Sequence, residues 1–288
     1  MTQQGAYYVP HKSIWPIIGS VGLFVTMFGA AHWINGQTDL GRPMFFTGLA
    51  VIVFMMFGWF HSVIGESIRG SYNSQVDVSF RMGMMWFIFS EVMFFAAFFG
   101  ALFYARNFSV PWLGGEGHGL FTHHYLWDHY TATWPTNGPG NIGGKFSVVA
   151  PWGLPLLNTL LLLSSSVTIT IAHHALRAGR RRQLLVFQAL TVLLGASFLY
   201  FQAHEYMEAY EHLNLTLHSG VYGSTFFMLT GFHGLHVTLG TIMLIIIWLR
   251  CAKGHFNREN HFGFEAVAWY WHFVDVVWLC LFLFVYIM

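Results

Sequence analysis

Seven separate stretches of predominantly apolar sequence, each about twenty residues long, run through this chain. As helices, each is long enough to cross the roughly 30 Å hydrocarbon core of a bilayer. They read approximately as residues 14–34, 44–64, 80–104, 154–175, 184–203, 221–248 and 265–288. Backbone in lipid must satisfy its own hydrogen bonds, so helices are the form such stretches take. The composition agrees: 55% hydrophobic against 9% charged is a balance that no soluble domain of 288 residues keeps. A formal net charge of +1 with no basic arm argues against a nucleic-acid partner.

Basic residues set the sidedness, because cytoplasmic loops collect Lys and Arg. With the N-terminus inside, Lys12, Arg69, Arg81, Arg177, Arg180, Arg181, Arg182, Arg250, Lys253 and Arg258 fall on the inner side, against Arg42, Arg106 and Lys145 outside. An odd number of spans then puts the C-terminus outside. Residues 1–13 are polar and too short for a secretory signal, so the first span is expected to stay in the mature protein. Cys251 ends one span while Cys280 lies about 21 Å into the next, so no disulfide is expected between them.

Glu91 is the only charge in the apolar run 82–104. It sits roughly 15 Å from Arg81, near the middle of the hydrocarbon. Its same-face neighbours are Met84, Phe87, Ile88, Phe94, Phe95 and Phe98, so its own helix offers no side-chain partner. The carboxyl is expected to be protonated, or to face another helix or a little water.

The longest connection, 107–151, is rich in Gly, Pro and Trp. It reads either as a cap on the bundle that contacts a neighbouring subunit or as a variable surface loop. Its histidines, His118, His123, His124 and His129, lack the carboxylate or Cys that would complete a metal-ligand pattern. A shorter outer loop, 204–220, carries Glu205, Glu208 and Glu211 at helical spacing, which reads as an acidic solvated face.

In the last two spans, His233 and His236 share a helix face at i,i+3, as do His272 and Asp275. Three readings are open. These groups ligate a haem or metal, form a proton relay with Glu91, or tie helices together where Gly231, Gly234 and Gly240 permit close approach. Spacing alone favours the third. Towards the inner surface, Glu66 and Arg69 end the second span, and Arg250, Lys253, His255, Arg258 and His261 occupy the turn between the sixth and seventh. With Trp59 and Trp269 at similar depth, this pattern suits phospholipid phosphates, and it equally suits plain positive-inside anchoring.

Five blocks carry a family resemblance. They are FRMGMMWFIFSEVMFF (80–95), PLLNT (155–159) with SSSVTITIAHHAL (164–176), QAHEYMEA (202–209), GVYGSTFFMLTGFHGLHV (220–237) and HFGFEAVAWYWHFVDVVW (261–278). In this order they resemble subunit III of the haem-copper cytochrome c oxidases. The resemblance implies an all-α membrane protein of seven transmembrane helices. Helices 1–2 (residues 1–79) would form one arm and helices 3–7 (residues 80–288) the other, with a V-shaped lipid-filled cleft between. It implies no haem, copper or other metal on this chain and no catalytic residue, which turns the histidine question towards helix packing by His233, His236 and His272. The implied partners are subunit I above all, then subunit II and a small subunit IV, with haem a and copper in those partners and structural phospholipids such as phosphatidylethanolamine or phosphatidylglycerol.

Glu91 matches the family's membrane-embedded glutamate of the third helix, and Asp275 is the second buried carboxylate. Trp59, Glu66, Arg250, Lys253 and His255 match positions that line lipid headgroups; Arg69 and His261 join them by location. Two departures stand out. Gly65 replaces an Arg that often precedes the glutamate of the second helix, and Tyr72 replaces a histidine. Arg69 is expected to supply the missing charge from another direction.

The expected role is that of a non-catalytic subunit of an aa3-type oxidase, supporting proton uptake and the stability of the oxygen-reducing complex in aerobic respiration. The long loop leans towards a bacterial cytoplasmic membrane, with the mitochondrial inner membrane as the alternative. Seven spans favour a cytochrome c oxidase over a quinol oxidase. A stand-alone proton or ion transporter would explain the buried acids, yet the sequence shows no internal repeat. A membrane oxygenase would explain the histidines, yet they are scattered.

Overall fold

The computed structural model describes residue 8 and residues 12–288. The reading of residues 1–13 therefore falls mostly outside the described residues. Regular structure among the described residues is helical, and seven helical segments are long and apolar enough to span a membrane. The chain divides by compactness into residues 1–82 and 83–288.

The first unit holds a hairpin of α1 (Trp15–Ile34) and α2 (Thr38–Ile68). Small residues let these helices approach closely. A Cβ on Gly29 would overlap the Phe45 backbone, one on Gly41 would overlap Trp33, and one on Gly48 would overlap Thr26. In lipid, where apolar contact with a neighbouring helix gains little over contact with acyl chains, such packing is what holds two helices together. Gly58 leaves room for the Trp15 ring, whose Nε1 donates to Ser62 Oγ at 3.1 Å.

The next helix, α3 (Ser74–Tyr104), passes through a π-helical turn (Ala105–Ser109) into α4 (Val110–Leu113). A short α5 (Leu120–Leu126) follows. The connection expected as a cap is tied to the stretch after the later helix α7 (Arg181–Glu211). Asn214 Nδ2 donates to the carbonyls of Gly143 (3.0 Å) and Lys145 (2.9 Å), and Ser147 N donates to Leu213 O (2.9 Å).

The second unit is built on α6 (Leu154–Ala178), α7, α8 (Gly220–Ala252) and α9 (Phe262–Leu281), the last ending in a π-helical turn (Phe282–Ile287). Its core is aromatic, with Trp271, Trp278, Phe198, Phe226 and Phe264 fully buried. The Trp271 ring lies where a Cβ on Gly195 would be 2.8 Å from it and one on Gly240 2.9 Å. Each indole also finds an acceptor: Trp271 Nε1 donates to Ser165 Oγ (2.8 Å) and Trp278 Nε1 to Thr159 Oγ1 (2.9 Å). These bonds lock α9 on α6 and satisfy donors that would otherwise be stranded in the core.

Two sequence expectations are corrected. Of the three glycines expected to admit a neighbouring helix, Gly240 does so. A Cβ at Gly231 would meet only the Tyr206 hydroxyl at 3.7 Å, and at Gly234 nothing within 4 Å. The helices also outrun their apolar stretches: α7 continues to Glu211, past the expected loop start at 204. Hydropathy marks where the membrane ends, whereas backbone hydrogen bonding carries a helix beyond it.

Candidate functional site: buried acids and histidines of the helix bundle

Glu91 on α3 and His236 on α8 meet, with Nε2 at 2.9 Å from Oε2 and side chains 22% and 10% exposed respectively. His236 Nδ1 lies 2.7 Å from the Phe232 carbonyl. A carbonyl only accepts, so Nδ1 carries hydrogen. If the imidazole is neutral, Nε2 is an acceptor and Glu91 donates; otherwise an imidazolium donates to a carboxylate. In both states the pair shares one proton and has no net charge, the form of such a pair that a membrane interior tolerates. Phe95 and Tyr270 wall the imidazole, with ring centroids at 5.0 and 6.2 Å. From its own helix, Glu91 has only the Ser90 hydroxyl at 3.5 Å, and that hydroxyl is better placed on the Phe87 carbonyl at 2.7 Å.

His233, 1% exposed, donates from Nε2 to the Val274 carbonyl at 3.2 Å, so it links α8 to α9. Its ring sits against Phe198 and Trp278. His272 Nδ1 lies 2.6 Å from Ser166 Oγ, which links α9 to α6. Asp275 Oδ2 lies 3.8 Å from the same nitrogen, and the Ser166 hydroxyl is its other polar neighbour. The i,i+3 spacing thus places His272 beside Asp275 at ion-pair distance, with Ser166 of α6 interacting with both.

Glu205 corrects the reading of an acidic solvated face. It is 1% exposed, and its Oε1 accepts from the Tyr286 hydroxyl (2.6 Å) and Gln202 Nε2 (3.3 Å). Because α7 extends to Glu211, position 205 falls on the same inward face as Gln202 and Ala209, while Glu208 and Glu211 stay exposed. Tyr286 is 81 residues away, and no local spacing announces it.

A second group was not legible as a group. His261 and Glu265 stand at i,i+4 on α9, with Nε2 and Oε1 3.2 Å apart, and His173 on α6 brings its Nε2 within 3.5 Å of the same oxygen. Candidate ligand atoms of the three lie within 4.8 Å of one another, the one such trio among the described residues. Two imidazoles and a carboxylate are a donor set that suits a borderline divalent ion and equally make a hydrogen-bonded cluster.

The residues expected at headgroups are placed unit by unit. In the first, Trp59 is half exposed, and Glu66 accepts from the Tyr72 hydroxyl at 2.8 Å, so the histidine-to-tyrosine departure supplies that acid with a donor. Burial raises the Tyr72 phenol above its ordinary pKa, and the hydrogen bond to Glu66 and the Glu66 charge add to this. Arg69 caps α2 with its guanidinium reaching back past Gly65, where a Cβ would stand 3.3 Å from Nη1.

In the second unit, the Arg250 guanidinium stacks over Phe256 at 4.3 Å, Lys253 is exposed at the end of α8, and His255 is half-buried. Arg181 Nη2 donates to Ala252 O (2.6 Å) and Arg258 Nη2 to Ala178 O (3.0 Å). The α6–α7 and α8–α9 turns, and with them most of the basic residues, therefore share one end of this unit.

A family profile described as cytochrome c oxidase subunit III matches residues 5–288. The chain belongs to the cytochrome c oxidase subunit III family. It is 42% identical over 287 residues to cytochrome c oxidase subunit 3 of Marchantia polymorpha, covering 99% of this chain and 97% of that one. It is also 40% identical over 286 residues to the Arabidopsis thaliana protein and 41% over 285 to that of Equus caballus, with the same coverage. With seven apolar spanning helices, this makes it a multi-pass membrane subunit of an oxidase complex that contains other oxidase subunits.

Proposed function

We propose that this chain is the non-catalytic scaffold of an aa3-type cytochrome c oxidase in a bacterial cytoplasmic membrane, with its N-terminus cytoplasmic and its C-terminus periplasmic. It binds subunit I, beside subunit II and a small subunit IV, and the haem a and copper centres lie in those partners. The observation that supports this best is how the membrane-embedded histidines are used. Both ring nitrogens of His236 are taken by Phe232 and Glu91, His233 Nε2 by Val274, and His272 Nδ1 by Ser166. Imidazoles spent on joining helices are linkers in a frame that flanks chemistry carried out elsewhere.

The basic end of the second unit supports the lipid-holding part of the proposal. Exposed Lys253 and the Arg250 guanidinium, with half-buried His255 beside them, offer positive charge and hydrogen-bond donors to the phosphates of phosphatidylethanolamine or phosphatidylglycerol, whereas His261 is buried against Glu265 and contributes from behind. In the first unit Trp59, Glu66 and Arg69 make the corresponding headgroup contacts. Titratable groups at the membrane surface, such as His255, Glu66 and Asp77, collect protons for uptake by subunit I.

The test is to purify the oxidase with this chain carrying Arg250→Leu and Lys253→Leu, then to follow activity over many turnovers and count bound phospholipids. Faster inactivation with lost lipid is expected. Unchanged lifetime and unchanged lipid content overturn the lipid-holding role, and a purified chain that reduces dioxygen alone overturns the scaffold reading.

A further inference from the structure

Three side chains from two helices converge at the end of the second unit that carries the basic turns. His173 lies five residues before the end of α6 at Ala178, about 8 Å along the axis, while His261 stands just ahead of α9 and Glu265 is in its first turn. Their side chains are 26%, 8% and 15% exposed, so the cluster is enclosed by protein yet within reach of water. Fully buried Phe264 walls it, with its ring centroid 5.6 Å from that of His173.

His236, His233 and His272 each hydrogen-bond within the chain through at least one ring nitrogen. His261 does not. Both of its ring nitrogens are buried without a hydrogen-bond partner, as is Nε2 of His173. The Nε2 atoms of His261 and His173 nevertheless stand 3.2 and 3.5 Å from Glu265 Oε1, at ion-pair distance but outside hydrogen-bond geometry. Those separations suit a tetrahedral ion, because bonds of about 2.0–2.1 Å put neighbouring ligand atoms about 3.3–3.4 Å apart. Candidate ligand atoms of all three residues fall within 4.8 Å of one another, so the remaining edge closes by a small side-chain rotation. Buried imidazole nitrogens left without hydrogen bonds call for an ion or a water between them. Two imidazoles and one carboxylate, with no thiolate, select zinc over magnesium or calcium.

We propose that His173, His261 and Glu265 form a binding site for Zn2+, which clamps α6 to the start of α9 and keeps one coordination position for water. Such an ion is an addition to what the family resemblance implies. Arg177, one turn beyond His173, is exposed, so water and salt screen its charge and leave the Glu265 carboxylate to set the local field. Because the ligands come from different helices, occupancy stabilises their junction by linkage.

The test strips the purified oxidase containing this chain with a chelator and titrates it with zinc chloride against a fluorescent zinc indicator. The parent complex is expected to take up one zinc ion at this site. His173→Ala, His261→Ala and Glu265→Gln should each weaken that binding by at least about tenfold, the least that loss of a group supporting a metal ligand costs. His174→Ala, at the exposed neighbour on the same turn, should bind as the parent does. No uptake by the parent, or uptake unchanged in all three variants, which means an adventitious ion only, overturns the site. Where a variant leaves the complex, zinc X-ray absorption of the parent with one equivalent of zinc decides. Two imidazoles and oxygen at about 2.0 Å are expected, and a first shell without imidazole overturns the proposal. The scaffold reading stands in either case.

Discussion

Replacing Glu91 by Gln and, separately, by Leu asks what the contact with His236 is made of. Because Nδ1 of His236 is held as a donor by the Phe232 carbonyl at 2.7 Å, a neutral ring presents an acceptor to position 91. A Gln amide N–H can donate to that acceptor much as a protonated Glu does. Glu91→Gln should then cost less than about 0.5 kcal/mol, since it exchanges one neutral hydrogen bond for another. Glu91→Leu leaves a largely buried ring nitrogen, on a side chain 10% exposed, without a partner, which costs about 1–2 kcal/mol. If the pair were instead a carboxylate and an imidazolium, Gln would break a partly buried ion pair, and its cost would rise to about 3 kcal/mol or more. The assay is the thermal midpoint for loss of this chain from the detergent-solubilised oxidase, run as a double-mutant cycle with His236→Leu. Infrared difference spectra of the parent against Glu91→Gln supply the second readout. A carboxylic acid band that disappears in the variant is expected. Equal destabilisation by Gln and Leu, or a carboxylate band in place of the acid, would refute the shared-proton account with Glu91 as donor.

Gly240→Ala should cost about 1–3 kcal/mol, because its Cβ would stand 2.9 Å from the Trp271 ring; Gly234→Ala, with no neighbour within 4 Å, should be neutral or slightly stabilising. Thermal midpoints of the two variants side by side check this. Tyr286→Phe removes the 2.6 Å donor to buried Glu205 and should destabilise by about 1–3 kcal/mol, whereas Tyr286→Phe combined with Glu205→Leu should recover part of the loss. Tyr72→Phe should cost below about 1 kcal/mol at neutral pH, as its hydroxyl is part-exposed. The folded state raises the phenol's pKa, so this contribution is full below the unfolded value near 10 and is lost as pH climbs through the folded one. A parent-minus-variant difference that instead changes between pH 6 and 9 would show that another group is responsible.

Much of the architecture was readable from residues alone, and the same physics explains where reading stopped. Hydropathy located all seven spans, since lipid admits only long, internally bonded helices. It misplaced the end of α7 by several residues, and that error turned Glu205 from a buried acid into a surface one. Helical spacing found His272 beside Asp275 but not Ser166, which sits on α6, 106 residues away. His261 was read only as part of a basic turn, and neither Glu265 nor His173 on α6 was read with it, because the trio forms only when α6 meets α9.

What the sequence by itself determined is the solvent of this protein: apolar stretches of membrane length, interrupted by few charges, commit the chain to spanning helices. The family blocks add which assembly those helices serve. Tertiary structure alone decided the pairing of the few polar side chains left among them. A carboxyl in hydrocarbon must be met by some other group, and whether that group is His236 for Glu91, Tyr286 for Glu205, or Ser166 beside His272 for Asp275 depends on which helix faces which. Periodicity along one helix carries no record of its neighbour.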